Sequence, residues 1–137
     1  MDYTKLKKML IDHEDVRYKP YVCPAGKLTI GIGHNLDDKG ISGAVSDLMY
    51  EEDVAEVISD LHTIFDDFDA FPENIQLVLA DMRFQLGHGG FRSFKLMISS
   101  VKTRHWHAMI VQMKNSHWYS QTTKRANDLI NMVMELA

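Results

Sequence analysis

The segment that most restricts how this chain can fold is KLTIGIG, residues 27–33. Successive side chains of a β-strand point to opposite faces, so one face of this segment carries three aliphatic side chains and the other carries Thr29, Gly31 and Gly33. A glycine inside a strand often marks the close approach of a ligand or of another backbone. The turn formers PAG at 24–26 separate the segment from an extended stretch before it. We therefore predict a β-hairpin with one apolar face and one bare face, which carries only Thr29 and the two glycines. We expect the bare face to form the floor of a cleft.

Most of the remaining chain has helical periodicity. Apolar residues recur at helical spacing near the N-terminus, where Asp2 is a suitable N-cap, and again from about residue 46 onward. The predicted helices cover residues 3–15, a stretch that follows Pro72 and is stopped by Gly87, Gly89 and Gly90, and residues 94–101, 105–115 and about 122–136.

These elements predict an α+β fold. We expect a single domain over residues 1–137, with a small antiparallel β lobe at about 16–45. A mostly helical C-terminal lobe would cover about 46–137 and pack with helix 3–15. The cleft would lie between the two lobes.

Composition excludes several classes of protein. With 45% hydrophobic and 25% charged residues, the 137-residue chain has the make-up of a globular domain rather than of a disordered segment. Its net charge of -4 and pI of about 5.9 argue against a nucleic-acid partner, which usually needs a basic face. One cysteine cannot form an internal disulfide. The N-terminus has no apolar core of signal-peptide length, so we expect no signal peptide and no stable membrane insertion.

Three residues near the hairpin could carry chemistry. Glu14 follows Leu10 by four positions and so shares the apolar stripe of the first helix, close to its C-terminus. Partial burial and the helix terminus both favour a protonated carboxyl group there, as a general acid requires. Thr29, on the bare strand face, could hold a water or a sugar oxygen. Cys23 lies in a polar loop, which is unusual for a cysteine that serves as core filler.

Two other kinds of site receive less support. A cysteine protease would pair Cys23 with His13 or His34, but the helix N-terminus that commonly lowers a thiol pKa is missing from this stretch. His105 and His107 are two positions apart and do not share a helix face, and neither HExxH nor CxxC occurs. We therefore expect no bound metal and no cofactor.

Taken together, these residues resemble the phage-type lysozymes, glycoside hydrolase family 24. The family signature is a glutamate, eight residues, an aspartate or cysteine, five residues and a threonine, which Glu14, Cys23 and Thr29 match. TIGIGH at 29–34 is similar to the strand that follows. Further along, RFQLG at 83–87 and SHWYSQTTKRANDLI at 116–130 are similar to later segments of the family. The resemblance covers nearly the whole chain in the same order and implies a lysozyme-like fold.

The resemblance also implies residue roles. Glu14 would protonate the glycosidic oxygen, Cys23 would stand where many members have an aspartate, and Thr29 would hold the catalytic water or the acetamido sugar. Arg125 would pair with Glu14 or its neighbourhood, and His34 would be structural. Four residues would line the cleft and contact sugar: Gly33, Asn35, Phe84 and Gln85.

The expected function is that of an endolysin, a muramidase that cleaves the β-1,4 bond between N-acetylmuramic acid and N-acetylglucosamine in peptidoglycan. Retention and inversion of the anomeric centre both remain open. Two alternatives are a glycan-binding module without activity, which Cys23 permits, and a lytic transglycosylase acting on the same bond. We expect a monomer made in the host cytoplasm, with peptidoglycan glycan strands as its partner after release through a holin-type pore.

Overall fold

The computed structural model describes residues 1–137, which form two compact units, Met1–Met49 and Tyr50–Ala137. The chain is 69% helical and has one small antiparallel sheet of three strands, which confirms the predicted α+β class. The predicted single-domain organisation, with helix 3–15 packed on the helical lobe, stays a prediction. No helix combines the length and the apolar character that crossing a membrane demands.

The first unit consists of one helix, the sheet and a further short helix. Helix α1 begins as predicted, because the Asp2 side chain accepts a hydrogen bond from the Lys5 N–H at 3.0 Å and so caps the first turn. The sheet order is β1-β2-β3. The elements are α1 (Tyr3–Glu14), β1 (Arg17–Val22), β2 (Leu28–Gly31), β3 (His34–Asn35) and α2 (Leu36–Lys39).

The hairpin between β1 and β2 is confirmed. Its turn is closed by two backbone hydrogen bonds, from the Gly26 N–H to the Cys23 carbonyl at 2.8 Å and from the Cys23 N–H to the Lys27 carbonyl at 2.9 Å. Tyr21 pairs with Thr29 across the two strands. The proline and glycine signals at 24–26 therefore located the turn correctly.

The continuous strand predicted over 27–33 is wrong. Strand β2 ends at Gly31, where φ is +67°, and Gly33 has φ +64°, so these glycines form a turn into β3 instead of alternating along a strand. The predicted faces are also wrong, since Thr29 is only 4% exposed whereas Leu28 is exposed. Thr29 lies on the central strand, and its hydroxyl donates to the Lys27 carbonyl at 2.8 Å, which offsets the cost of burying it.

Polar contacts fasten α2 to the sheet. The Leu28 N–H donates to the Asp37 carboxylate at 2.6 Å, and Lys27 Nζ lies 3.1 Å from the Asp38 carboxylate. Asn35 caps α2 by accepting from the Asp38 N–H at 3.0 Å. Thr29 is the one fully buried residue among residues 1–49, so hydrogen bonds hold this unit more than apolar burial does.

The second unit contains the hydrophobic core. Every fully buried apolar side chain of the protein belongs to it, and α8 packs against both α4 and α6. Helix α3 contributes its residues from Tyr50 onward. The elements are α3 (Gly43–Ile64), a short 3-10 helix (Phe68–Ala70), α4 (Glu73–Arg92), α5 (Lys95–Lys102), α6 (Trp106–Lys114), α7 (His117–Gln121) and α8 (Thr123–Met134).

The predicted end of α4 at its glycines is only partly correct. Gly87 leaves helical geometry, with φ +76° and ψ 179°, but the chain resumes the helix and continues to Arg92. Phe91 is fully buried and Arg92 is bound by Asp60, and both interactions stabilise the final turn of the helix. The predictions at 94–101 and 105–115 are confirmed by α5 and α6, whereas the five-residue helix α7 was not predicted.

A buried ion cluster joins α3 to α4. The Asp60 carboxylate, whose side chain is 11% exposed, accepts hydrogen bonds from Arg83 Nε at 2.6 Å and from Arg92 Nη1 at 2.7 Å. The hydrogen bond from Arg92, and then that from Arg83, holds the pKa of Asp60 well below its usual 3.8 although burial acts in the opposite direction. The cluster is therefore ionised at every pH at which the protein is ordinarily handled.

Replacing Asp60 should cost the fold substantial stability. We expect Asp60→Asn to lower the free energy of unfolding by about 3–5 kcal/mol, because two guanidinium groups lose their charged partner. Urea denaturation measures this change. The matched control is Glu56→Gln, since Glu56 is exposed and 3.6 Å from Arg83, and it should change stability by less than about 1 kcal/mol.

The pH dependence of this effect has a defined sign. A folded-state pKa below the unfolded value stabilises the protein above the unfolded pKa, and the stabilisation fades as pH falls toward the folded pKa. The difference in the free energy of unfolding between wild type and Asp60→Asn should therefore stay constant above about pH 5 and narrow as the pH falls from about 5 to about 2. A difference that stays constant over that lower range would contradict the assigned ion cluster.

Candidate active site

Glu14 is the last residue of α1, directly before a sharp change of chain direction. Asp15 follows with φ +69° and ψ 171°, and its carboxylate accepts a hydrogen bond from the Val16 N–H at 2.8 Å. The predicted partial burial of Glu14 is wrong. Glu14 is exposed, because α1 buries none of its residues and Leu10 on the same stripe is exposed as well.

The Glu14 carboxyl group lies against the turn between β2 and β3. A Cβ atom added at Gly33 would stand 2.9 Å from Glu14 Oε2 and 3.0 Å from Glu14 Cδ, which is closer than real Cβ contacts come. Gly33 thus combines a left-handed φ of +64° with direct contact to the acid. The sequence predicted that Gly33 would be needed for close approach, and here the approaching group is the glutamate.

Cys23 stands at the start of the hairpin turn and is partly exposed. The backbone N–H of Lys27 is the main cause that lowers the pKa of the thiol from 9.0. Burial is the second largest cause and raises the pKa, and the N–H of Ala25 is the third and lowers it. The two donors belong to the turn itself. The loop therefore favours a thiolate in a place where no helix N-terminus is available.

Thr29 is the neighbour of this thiol across the hairpin. Its hydroxyl is one of the smaller causes that lower the pKa of the thiol. The hydroxyl donates its one hydrogen to the Lys27 carbonyl at 2.8 Å, and its oxygen remains able to accept a hydrogen bond. Because Thr29 is buried, a bound water fits its hydroxyl better than direct contact with a sugar ring.

Asn35 and His34, predicted as a sugar ligand and a structural residue, both bond to nearby backbone. Asn35 Oδ1 caps α2, and its amide donates to the Asp38 carboxylate at 2.9 Å, so both polar ends of the side chain have partners. His34 Nε2 donates to the Gly40 carbonyl at 2.6 Å, which ties β3 to the end of α2. A role for Asn35 in sugar binding stays a prediction.

The other three predicted residues lie in the second unit. Phe84 is half-exposed, and Gln85 Oε1 accepts a hydrogen bond from Trp118 Nε1 at 2.9 Å. Arg125 was expected to pair with Glu14 or its neighbourhood, and the partner that the structure gives its Nε is the Asp81 carboxylate at 2.8 Å. Trp118 also lines a pocket of about 480 Å³ with Leu86.

The structure thus brings Glu14 together with Gly33, and Cys23 together with Thr29, within the unit Met1–Met49. Sequence reasoning missed the backbone donors around the thiol, because N–H groups carry no residue-specific signal. Trp118 occurs in a segment that the family resemblance covers, but only its bond to Gln85 shows which site residue it fixes. No group of three or more histidine, cysteine, aspartate or glutamate residues is arranged to hold a metal ion.

Adding a methyl group at Gly33 should disturb the acid. We expect Gly33→Ala to displace the Glu14 carboxyl group and to reduce the hydrolysis predicted from the sequence by about tenfold, since misplacing a catalytic group by about 1 Å has large effects on rate. The measurement is initial rate on purified peptidoglycan. Gly31→Ala is the matched control, because Gly31 has φ +67° but nothing within 4 Å of an added Cβ. Equal losses in both variants would show that backbone strain alone is responsible.

Comparison with known proteins identifies the family of the chain. The family model described as Phage lysozyme matches residues 11–132, which include every predicted site residue. A protein of Dictyostelium discoideum described as Probable T4-type lysozyme 2 is 29% identical over an alignment that covers 94% of this chain and 93% of the relative. That alignment runs over 161 residues, so the relative carries residues that this 137-residue chain lacks. The chain therefore belongs to the phage lysozyme family and is a glycosidase of the lysozyme type, a muramidase-like enzyme whose substrate is peptidoglycan.

Proposed function

We propose that this enzyme hydrolyses the β-1,4 bond between N-acetylmuramic acid and N-acetylglucosamine and thereby lyses bacterial cells. The observation that carries the proposal is the accessible Glu14 carboxyl group against Gly33, in the same small unit as a thiol whose pKa is lowered by the turn that holds it. Cleavage of a glycosidic bond needs a proton on the leaving oxygen and negative charge near the developing cation. The unit contains one group suited to each requirement.

Glu14 supplies the proton. Its position at the end of α1, with the strained Asp15 behind it and Gly33 beside it, restricts where the carboxyl group can point. A general acid must come within hydrogen-bonding distance of the oxygen that it protonates. Because Glu14 is exposed, a glycan strand can reach it without a prior opening of the protein.

Cys23 supplies the negative charge. As a thiolate it has two possible uses at the anomeric carbon of the oxocarbenium-like transition state. If sulfur attacks this carbon while the glycosidic oxygen leaves with the Glu14 proton, a thioglycosyl intermediate forms, and hydrolysis of that intermediate by water retains the configuration. If the thiolate instead accepts a proton from a water that attacks this carbon from the face opposite the leaving group, the water becomes the new anomeric hydroxyl and the configuration inverts. Thr29, whose hydroxyl helps to lower the pKa of the thiol, suits the placement of water in either case.

We further propose that the chain acts as a monomer and reaches the wall from the host cytoplasm through a holin-type pore. This route follows from the resemblance to phage lysozymes. It is tested together with the catalytic proposal.

Loss of the Glu14 proton should abolish activity. We expect Glu14→Gln to reduce turnover on purified peptidoglycan by about 10²–10⁴-fold, the usual contribution of a general acid, with little change in stability because the residue is exposed. Glu51→Gln, another exposed glutamate, is the control and should keep full activity. Mass spectrometry of the products separates hydrolysis, which leaves a reducing end, from transglycosylation, which leaves a 1,6-anhydro end.

Two results would contradict parts of the proposal. Retained turnover in Glu14→Gln would remove Glu14 as the acid. In cells that express the wild-type chain, we expect lysis only after chloroform has permeabilised the inner membrane, so prompt lysis without that treatment would contradict the pore route. Glu14→Gln expressed in the same way should not lyse the cells under either condition.

The charge at position 23 should set the pH profile. We expect Cys23→Asp to keep most activity and Cys23→Ser to lose about 10²-fold, since a hydroxyl carries no charge to stabilise the cation. In the wild type the rate should rise with pH toward the thiol pKa, which lies below 9.0. In Cys23→Asp that rise should move to acid pH, because a carboxylate ionises near pH 4. Rate measurements from about pH 4 to pH 9 test this, and full activity in Cys23→Ala would exclude a catalytic role for the thiol.

A further inference from the structure

A small polar pocket between α3 and α4 has no role in the chemistry described above. It has a volume of about 240 Å³ and lies within the second unit. Its lining combines two carboxylates, a guanidinium group, an aliphatic side chain and an aromatic ring, which belong to Asp53, Glu56, Val57, Arg83 and Phe84. A pocket of this size accepts a group as large as one amino acid or one small ring substituent.

Arg83 is the unusual member of this lining, because it is buried and has two ion-pair partners, Asp60 and Glu56, yet makes a hydrogen bond through only one of its nitrogen atoms. Its side chain is 6% exposed, and its one hydrogen bond runs from Nε to Asp60. Its Nη2 lies 3.6 Å from Glu56 Oε1, which is too long for a hydrogen bond. A guanidinium group has five N–H donors, so four remain available. No fully buried side-chain polar atom in the protein lacks a partner, and the free donors of Arg83 must therefore open onto the pocket.

The charges around the pocket are separated by depth. Inside, a single carboxylate, that of Asp60, is shared by the guanidinium groups of Arg83 and Arg92. The second positive charge is therefore balanced only from the rim, where Glu56 lies 3.6 Å from Arg83. At the rim, Asp53 and Glu56 are exposed carboxylates. A simple anion would be repelled at the rim, and a simple cation would be repelled by Arg83. A ligand that carries both charges can place its anionic end inward against Arg83 and its cationic end at the rim beside the two carboxylates.

We propose that this pocket binds the zwitterionic end of an amino acid. The α-carboxylate accepts hydrogen bonds from the free N–H donors of Arg83, a planar fork that suits carboxylates. The α-ammonium group lies between Asp53 and Glu56, and the half-exposed Phe84 ring covers the aliphatic part. The inference rests on the proposed function for its biological source, since peptidoglycan carries peptide stems in which such an end occurs on diaminopimelate.

Amide chemical-shift titration with small probes tests the proposal. Alanine and meso-diaminopimelic acid should shift the signals of residues 53, 56, 83 and 84 in a saturable manner, with dissociation constants on the order of millimolar. N-acetylalanine lacks the ammonium group and alaninamide lacks the carboxylate, so each should bind at least about fivefold more weakly. Equal binding of N-acetylalanine would indicate a plain anion site and overturn the proposal. Stronger shifts with N-acetylglucosamine would overturn it in favour of a sugar site.

A matched pair of variants tests the rim without disturbing Arg83, whose replacement would endanger the ion cluster. Glu56→Gln should weaken alanine binding by about two- to fivefold, as expected for the loss of one exposed ion pair, and Glu51→Gln should leave it unchanged. The titration does not depend on catalysis. An enzyme that cleaves peptidoglycan but shows no saturable shifts would refute this inference alone, whereas saturable shifts in a chain whose turnover survives Glu14→Gln would refute the proposed mechanism alone.

Discussion

Burial of one face of α4 is the constraint on which the second unit depends. Ile75, Val78, Leu79 and Met82 recur at helical spacing and are completely buried, with α8 packed against the same helix. Fixing these four side chains also fixes the direction of the three that follow. Arg83 is carried toward α3 and Asp60, Phe84 is left half-exposed, and Gln85 is brought to the Trp118 indole. Apolar packing thus sets the positions of polar residues that contribute nothing to the core themselves, and the cost of burying Arg83 is offset by Asp60.

The unit that contains Glu14, Cys23 and Thr29 is held in a different way. It has one fully buried residue, and its cohesion comes from the sheet ladder, from the Asp37 and Asp38 contacts to the hairpin and from the bond between His34 and Gly40. Hydrogen bonds exposed to solvent contribute little net stability, so segments of this kind open locally at a lower free energy than a packed core does. The catalytic candidates are therefore expected to sit in the part of the protein whose amides exchange first. Such a unit can adjust to a polymeric substrate at small energetic cost.

Local signals in the sequence were sufficient for the parts of the fold that local physics determines. The PAG turn, the Asp2 cap and the long amphipathic helices follow from backbone preference and periodicity, and all were predicted. The alternation in KLTIGIG led to the wrong prediction of a continuous strand, because the sequence does not distinguish a glycine in a strand from a glycine at positive φ. Contacts between residues far apart in the chain could not be recognised from the sequence. Asp60 binds Arg83 and Arg92, which follow it by 23 and 32 positions. For the site, the spacing of Glu14, Cys23 and Thr29 was informative, but the exposure of the acid depended on packing that no spacing encodes.

The environment of Cys23 bears on why sulfur can stand where many relatives of this enzyme have a carboxylate. A carboxylic acid, with an ordinary pKa near 4, is already ionised at neutral pH without assistance, whereas a free thiol, with an ordinary pKa of about 8.5, is largely protonated there. In this hairpin the assistance comes first from the Lys27 N–H and then from the Ala25 N–H, donors that belong to the backbone of a turn closed by Gly26. Backbone donors do not distinguish sulfur from oxygen, and they would stabilise either anion at the same place. In the proposed mechanism, the capacity to hold a negative charge beside the substrate therefore resides in the conformation of the turn, and the residue at position 23 determines the pH at which that charge becomes available.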